Sequence, residues 1–168
     1  MGKYLKIGDI FEVILDDKTK GYVQYIADDM TQLNSRVIRV FKKRYSVGGT
    51  PSVDEITTDD VEFYAHITNI KYGEKGGTWR KTGKSENVGD IKKPIFRSTP
   101  EDITLHSSSH FSKHWYVWRI GEDTQYVRPN NKLLPQSDIG MIIWPESVKE
   151  RMITGKYHGF FPKYEGEK

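Results

Sequence analysis

Short apolar runs separated by polar breaks dominate the chain, and most runs have the length of strands. Ile10-Phe11-Glu12-Val13-Ile14-Leu15 and Tyr22-Val23-Gln24-Tyr25-Ile26 flank the polar stretch Asp16-Asp17-Lys18-Thr19-Lys20-Gly21, which predicts a hairpin. Gly8-Asp9 supplies a tight entry turn, and Asp28-Asp29 closes the second run. A third run, Val37-Ile38-Arg39-Val40-Phe41, ends in Lys42-Lys43-Arg44-Tyr45. Three such strands predict a meander or the start of a small curled barrel. Residues 46–52 contain Gly48-Gly49 and Pro51 and read as a loop.

Residues 53–70 carry two patterns. Thr57-Thr58-Asp59-Asp60 has the chemistry of a helix cap, and Val61, Tyr64 and Ala65 have helical spacing. The β-branched and aromatic residues of 61–70 favour a strand. Residues 71–94 are rich in Gly and Lys, with Thr78-Trp79-Arg80-Lys81 as a short edge strand. Residues 98–114 read as a long polar loop. Trp115-Tyr116-Val117-Trp118-Arg119-Ile120, a turn at Gly121-Glu122-Asp123 and Thr124-Gln125-Tyr126-Val127 form a second hairpin pattern. After a loop at 129–135, Ile139-Gly140-Met141-Ile142-Ile143-Trp144 reads as one strand. A single helix is expected near 145–154. Pro145 suits its first turn, Val148 and Met152 share a face, and Gly155 stops it. The tail, with Phe160-Phe161-Pro162, is expected to be extended and partly packed.

The fold class expected is therefore mainly β (α+β): a strongly curled antiparallel sheet or SH3-like partial barrel with one C-terminal helix. With 168 residues, the chain has the length of one domain spanning 1–168. It has no cysteine, which excludes disulfides, thiolate metal sites and cysteine nucleophiles and fits a reducing compartment. No apolar h-region opens the chain, and no apolar run approaches the roughly 20 residues that span a bilayer. Neither a secretory signal nor a membrane span is expected.

Charge separates the two parts of the chain. Residues 1–70 carry 9 Lys/Arg and 11 Asp/Glu, whereas residues 71–168 carry 17 and 12. The whole has a formal net charge of +3, mild for a dedicated nucleic-acid binder. Ten Tyr, seven Phe and four Trp are many for a chain with 36% hydrophobic residues, and such rings serve both cores and recognition surfaces.

Several constellations could carry chemistry. His106, His110 and His114 recur every four residues and would share one face of a helix, as a metal site requires. The intervening serines disfavour that helix, and a solvated loop is the competing account. Asp16-Asp17, Asp28-Asp29 and Asp59-Asp60 are turn and cap pairs rather than catalytic dyads, since neighbours on an extended chain point apart. Arg36, Arg39, Lys42, Lys43 and Arg44 could track a phosphate backbone or protect an edge strand. Neither a P-loop, a GxGxxG nor a GxSxG motif is present.

Lys6-Ile7-Gly8-Asp9-Ile10-Phe11-Glu12-Val13 and Gly21-Tyr22-Val23-Gln24-Tyr25-Ile26 resemble the start of the immunity protein 26 family. Phe63-Tyr64-Ala65-His66, Gly77-Thr78-Trp79-Arg80-Lys81-Thr82-Gly83 and Ile139-Gly140-Met141-Ile142-Ile143-Trp144-Pro145 are similar to that family too, as are Tyr157 and Phe161-Pro162-Lys163-Tyr164. The resemblance implies a bacterial, cytoplasmic protein encoded beside a polymorphic toxin, which it neutralises by stoichiometric binding. It implies no enzyme activity, no cofactor and no catalytic residue. Aromatic and charged positions expected to touch the partner are Arg36, Arg39, Lys43, Trp79, Trp115 and Tyr116. The Gly8-Asp9-Ile10-Phe11 opening also resembles SH3-like barrels of the PemK toxin family, which implies a barrel-like N-terminal sheet more than ribonuclease activity, with a nucleic-acid-binding or nucleolytic protein as the alternative function.

Overall fold

The computed structural model describes residues 4–100, 111–159 and 161–168. Eleven strands and three α-helices occur among them. The larger sheet contains β1 (Asp9–Ile14), β2 (Thr19–Asp29), β3 (Ser35–Phe41), β4 (Tyr45–Ser46), β5 (Val61–Ile67), β6 (Trp79–Lys84) and β11 (Ile142–Ile143). Its order is β11-β5-β3-β2-β1-β6, with β4 paired to β2. The smaller sheet orders β10 (Asp138–Ile139), β7 (Phe96–Ser98), β8 (Trp115–Trp118) and β9 (Gln125–Val127). The fold is mainly β, as expected. Neither sheet closes on itself, so the partial barrel is replaced by an open sheet with β11 and β6 at its edges.

The larger sheet is covered on both faces. Phe11, Val13, Val23, Tyr25, Ile38, Val40, Phe63 and Ala65 alternate onto one face. The expected helix, α3 (Pro145–Thr154), lays Val148 and Met152 on that face, and Tyr157 of the tail joins them. Pro145 occupies its first turn, and Gly155 ends it with φ +85°, a left-handed conformation that glycine tolerates. On the opposite face, Ile10, Tyr22 and Phe41 pack under Ile56 of α1 (Val53–Thr57). Farther along that face, Ile26, Ala27 and Val37 meet Phe96 and Trp118 of the smaller sheet.

Ser52 caps α1 by accepting the Glu55 N–H, so Thr57-Thr58-Asp59-Asp60 ends one helix instead of starting another. The strand pattern prevails over 61–67, and a second short helix, α2 (Lys71–Lys75), follows. An edge strand is one of the two accounts the basic run allows, and the sheet order does not support it. The run begins on β3, an interior strand between β2 and β5, and Arg36, Arg39 and Arg44 contact Tyr25, Gln24 and Glu62.

The segment read as one strand over 139–144 divides between the sheets. β10 pairs in parallel with β7, and β11 in parallel with β5. Gly140 makes the crossing possible. Its N–H donates to the Arg97 carbonyl at 2.7 Å, and a Cβ there would lie 2.1 Å from the Trp118 ring and 2.6 Å from that carbonyl. Gly140→Ala is expected to cost about 1–3 kcal/mol through overpacking, read as a lower urea midpoint with an unchanged slope.

The sheets are tied together by a buried polar cluster. Asp29 Oδ2 accepts from His66 Nε2 at 2.8 Å and from Trp118 Nε1 at 3.0 Å, while Oδ1 accepts the Gly121 N–H at 3.2 Å. His66 and Asp29 are both fully buried. The Nε2–H tautomer suits this geometry and leaves Nδ1 as a bare acceptor with no partner among the described residues. Burial lowers the His66 pKa below 6.5 and outweighs the upward pull of Asp29. Burial acts to raise Asp29, yet donors from His66, Trp118 and Gly121 together hold it below 3.8.

These shifts give a pH prediction with a definite sign. An unfolded chain binds a proton at His66 near pH 6.5, whereas the folded chain resists it until a lower pH. Folding stability should fall as pH drops below 6.5, with the Asp29 contribution surviving until below 3.8. Urea midpoints at a series of pH values check this: His66→Gln, which keeps a donor for Asp29, should flatten the upper part of the decline.

Candidate recognition surface

Of the residues expected to face a partner, three lie inside. Trp79 is 2% exposed; its ring sits against Gly73, where a Cβ would come within 2.5 Å, and 6.2 Å from the Phe11 ring. Trp115 is also 2% exposed, donating its indole N–H to the Ser112 carbonyl at 2.9 Å and meeting Tyr164 edge-on. Arg39 is a buried latch. Its Nε donates to Gln24 Oε1 at 2.8 Å and its Nη2 to the Asn87 carbonyl at 2.8 Å, fixing the 85–89 loop to the sheet. These side chains shape the scaffold and present nothing to a docking molecule in this conformation.

The other expected residues reach the surface but do not converge. Lys43 is exposed, with its ammonium 5.0 Å from the Tyr45 ring centroid. Tyr116 is half-buried beside exposed Tyr126, with centroids 5.7 Å apart. His114 is exposed near Tyr126, whereas His106 and His110 lie outside the described residues. Among the described residues, no group of three His, Asp or Glu is arranged to hold a metal.

Arg36 belongs to a more coherent surface at the β11 edge. A groove of ≈ 490 Å³ brings Arg36 together with Met30 and Ile142, and Tyr25 and Asp28 help to line it. The Arg36 guanidinium lies 5.9 Å from the Tyr25 ring. Burial and the neighbouring Asp28 carboxylate push the Tyr25 hydroxyl up to about 12, so it remains a donor to Asp28. Met30 is 68% and Ile142 43% exposed, so two apolar side chains of the groove meet solvent.

Trp144 continues this surface. Extended backbone alternates side chains, so Ile142 and Trp144 point outward while Ile143 enters the core. Trp144 is 56% exposed and stacks on Tyr72 of α2, itself 51% exposed, with centroids 5.3 Å apart and planes at 30°. Stacking holds each ring in one orientation before a partner arrives, which lowers the ordering cost of binding. Tyr72 and Met30 carry no pattern in the sequence that marks them as exposed. Trp144 is recognisable only as an aromatic residue at the start of a helix.

The open two-sheet fold defines a mainly β domain that carries a stacked, exposed aromatic pair. The family match is specific: the chain belongs to the immunity protein 26 family, whose model matches residues 6–104. No curated protein and no solved structure gives a significant match. Among the described residues, no helix is long and apolar enough to cross a membrane.

Proposed function

We propose that this protein is a bacterial, cytoplasmic immunity protein that neutralises one cognate toxin by stoichiometric binding, transforming no substrate. The carrying observation is the exposed Tyr72–Trp144 stack, two residues along the chain from Ile142, which lines the groove with Met30 and Arg36. Trp, Tyr and Arg are the residues that most often dominate interface energetics. The stack anchors a toxin surface over its active site or access path, and surrounding charges set partner choice and encounter rate. Family membership supports the immunity role.

The nucleic-acid alternative has less support. Arg39 is turned inward and Arg44 is held by Glu62 at 2.6 Å, so the basic run offers no continuous phosphate track. A direct test is cellular rescue. Cells expressing the toxin module encoded beside this protein should survive only when this protein is co-expressed, and continued killing despite normal levels of both would overturn the assignment.

A further inference from the structure

A second cleft, of ≈ 610 Å³, shares no lining residue with the Met30–Ile142 groove. It opens between β10, the end of α3 and the C-terminal tail. Tyr157, Phe161 and Tyr164 supply its aromatic wall. Tyr157 is buried, which pushes its hydroxyl up to about 12, so the ring remains neutral at any ordinary pH.

The charges around this wall are unbalanced. Arg151 pairs with Asp138 at 3.2 Å, and Arg97 with Glu167 at 3.0 Å. Lys156 is exposed and Lys163 half-buried; both line the cleft, and neither forms an ion pair among the described residues. Burial raises the pKa of both Asp138 and Glu167, so acidification only increases the local positive excess. The imbalance also follows the chain, since residues 71–168 hold 17 basic against 12 acidic side chains.

Apart from Arg97, the lining residues run from Ser137 to Lys168, beyond the 6–104 stretch that the family model matches. The matched part builds most of the larger sheet. Residues beyond the matched stretch, with Arg97 from within it, build this cleft.

We propose that the cleft receives an acidic segment of the cognate toxin, with Asp or Glu carboxylates meeting Lys156 and Lys163 and an adjacent apolar side chain packing on Phe161. This rests on the toxin-binding function and adds the chemistry of the partner. A surface that neutralises an acidic segment would be repelled by a basic one, which makes the cleft selective as well as adhesive.

The full chain can be tested with a fluorescein-labelled Glu-Glu-Phe-Glu-Glu peptide by anisotropy. Saturable binding is expected, weakened about tenfold or more in the K156E/K163E double variant and by raising salt beyond the screening range. Circular dichroism establishes that the double variant is folded. Equal binding by the double variant, or equal binding of Lys-Lys-Phe-Lys-Lys, overturns the inference. Inorganic pyrophosphate binding at one equivalent, without peptide binding, also overturns it and assigns a small phosphorylated ligand.

The same variant separates this inference from the function beneath it. With the toxin module, the double variant should bind at least about tenfold more weakly than the wild type. Unchanged toxin affinity removes the cleft from the interface but leaves the immunity function standing. Failure of the wild type to bind any neighbouring toxin removes that function, while the peptide result still decides the cleft's preference.

Discussion

Asp29→Ala is expected to lower folding stability by about 3–5 kcal/mol, a large part of what a domain of this size possesses. Asp29 is fully buried and its carboxylate joins β2 of the larger sheet to β8 and the following turn of the smaller one. Alanine would leave the His66 and Trp118 ring donors without an acceptor in a dry site. Each orphaned donor costs about 1–3 kcal/mol. Asp29→Asn should cost less, since one amide oxygen still accepts while the amide nitrogen faces donors. Chemical unfolding followed by tryptophan fluorescence checks both. A loss below about 1 kcal/mol for alanine would show that the sheets are held together without this cluster.

Trp144→Ala is expected to weaken toxin binding by about 2 kcal/mol or more, roughly 30-fold, with little change in folding stability. The separation follows from exposure. The ring rests on exposed Tyr72, and the adjacent Pro145 and Val148, not Trp144, hold α3 to the core. Removing Trp144 also frees the Tyr72 ring, so Tyr72→Ala should be costly and the double variant less than additive. Calorimetric titration of the toxin against the three variants measures this. Equal affinities across the set would place the interface elsewhere.

Much of the scaffold is legible in the sequence, for physical reasons. The β1–β2 hairpin and α3 announce themselves because alternation, turn chemistry and caps agree over the same residues. The β8–β9 hairpin follows the same logic. The division of 139–144 does not, because periodicity carries no signal that two neighbouring dipeptides join different sheets. The need for glycine at position 140 becomes visible only once the Trp118 ring is in place.

The recognition surface is harder to read for a related reason. Alternation says which residues share a face but not what covers that face. Arg39 appears solvent-directed on an edge strand until the sheet order places β3 in the interior and the 85–89 loop over it. Trp79 and Trp115 have the same chemistry as Trp144, yet glycine and tail contacts enclose them. Tyr72 and Trp144 become partners because α2 and the start of α3 meet in space, far apart in sequence.

Titrating toxin activity with this protein under tight-binding conditions tests the central claim most directly. Inhibition should rise linearly and break at one equivalent, with both chains recovered chemically unchanged from the complex. Complete loss of toxin activity at a small fraction of an equivalent, or covalent change in the toxin, would mean that the protein acts as a catalyst and not as a bound inhibitor.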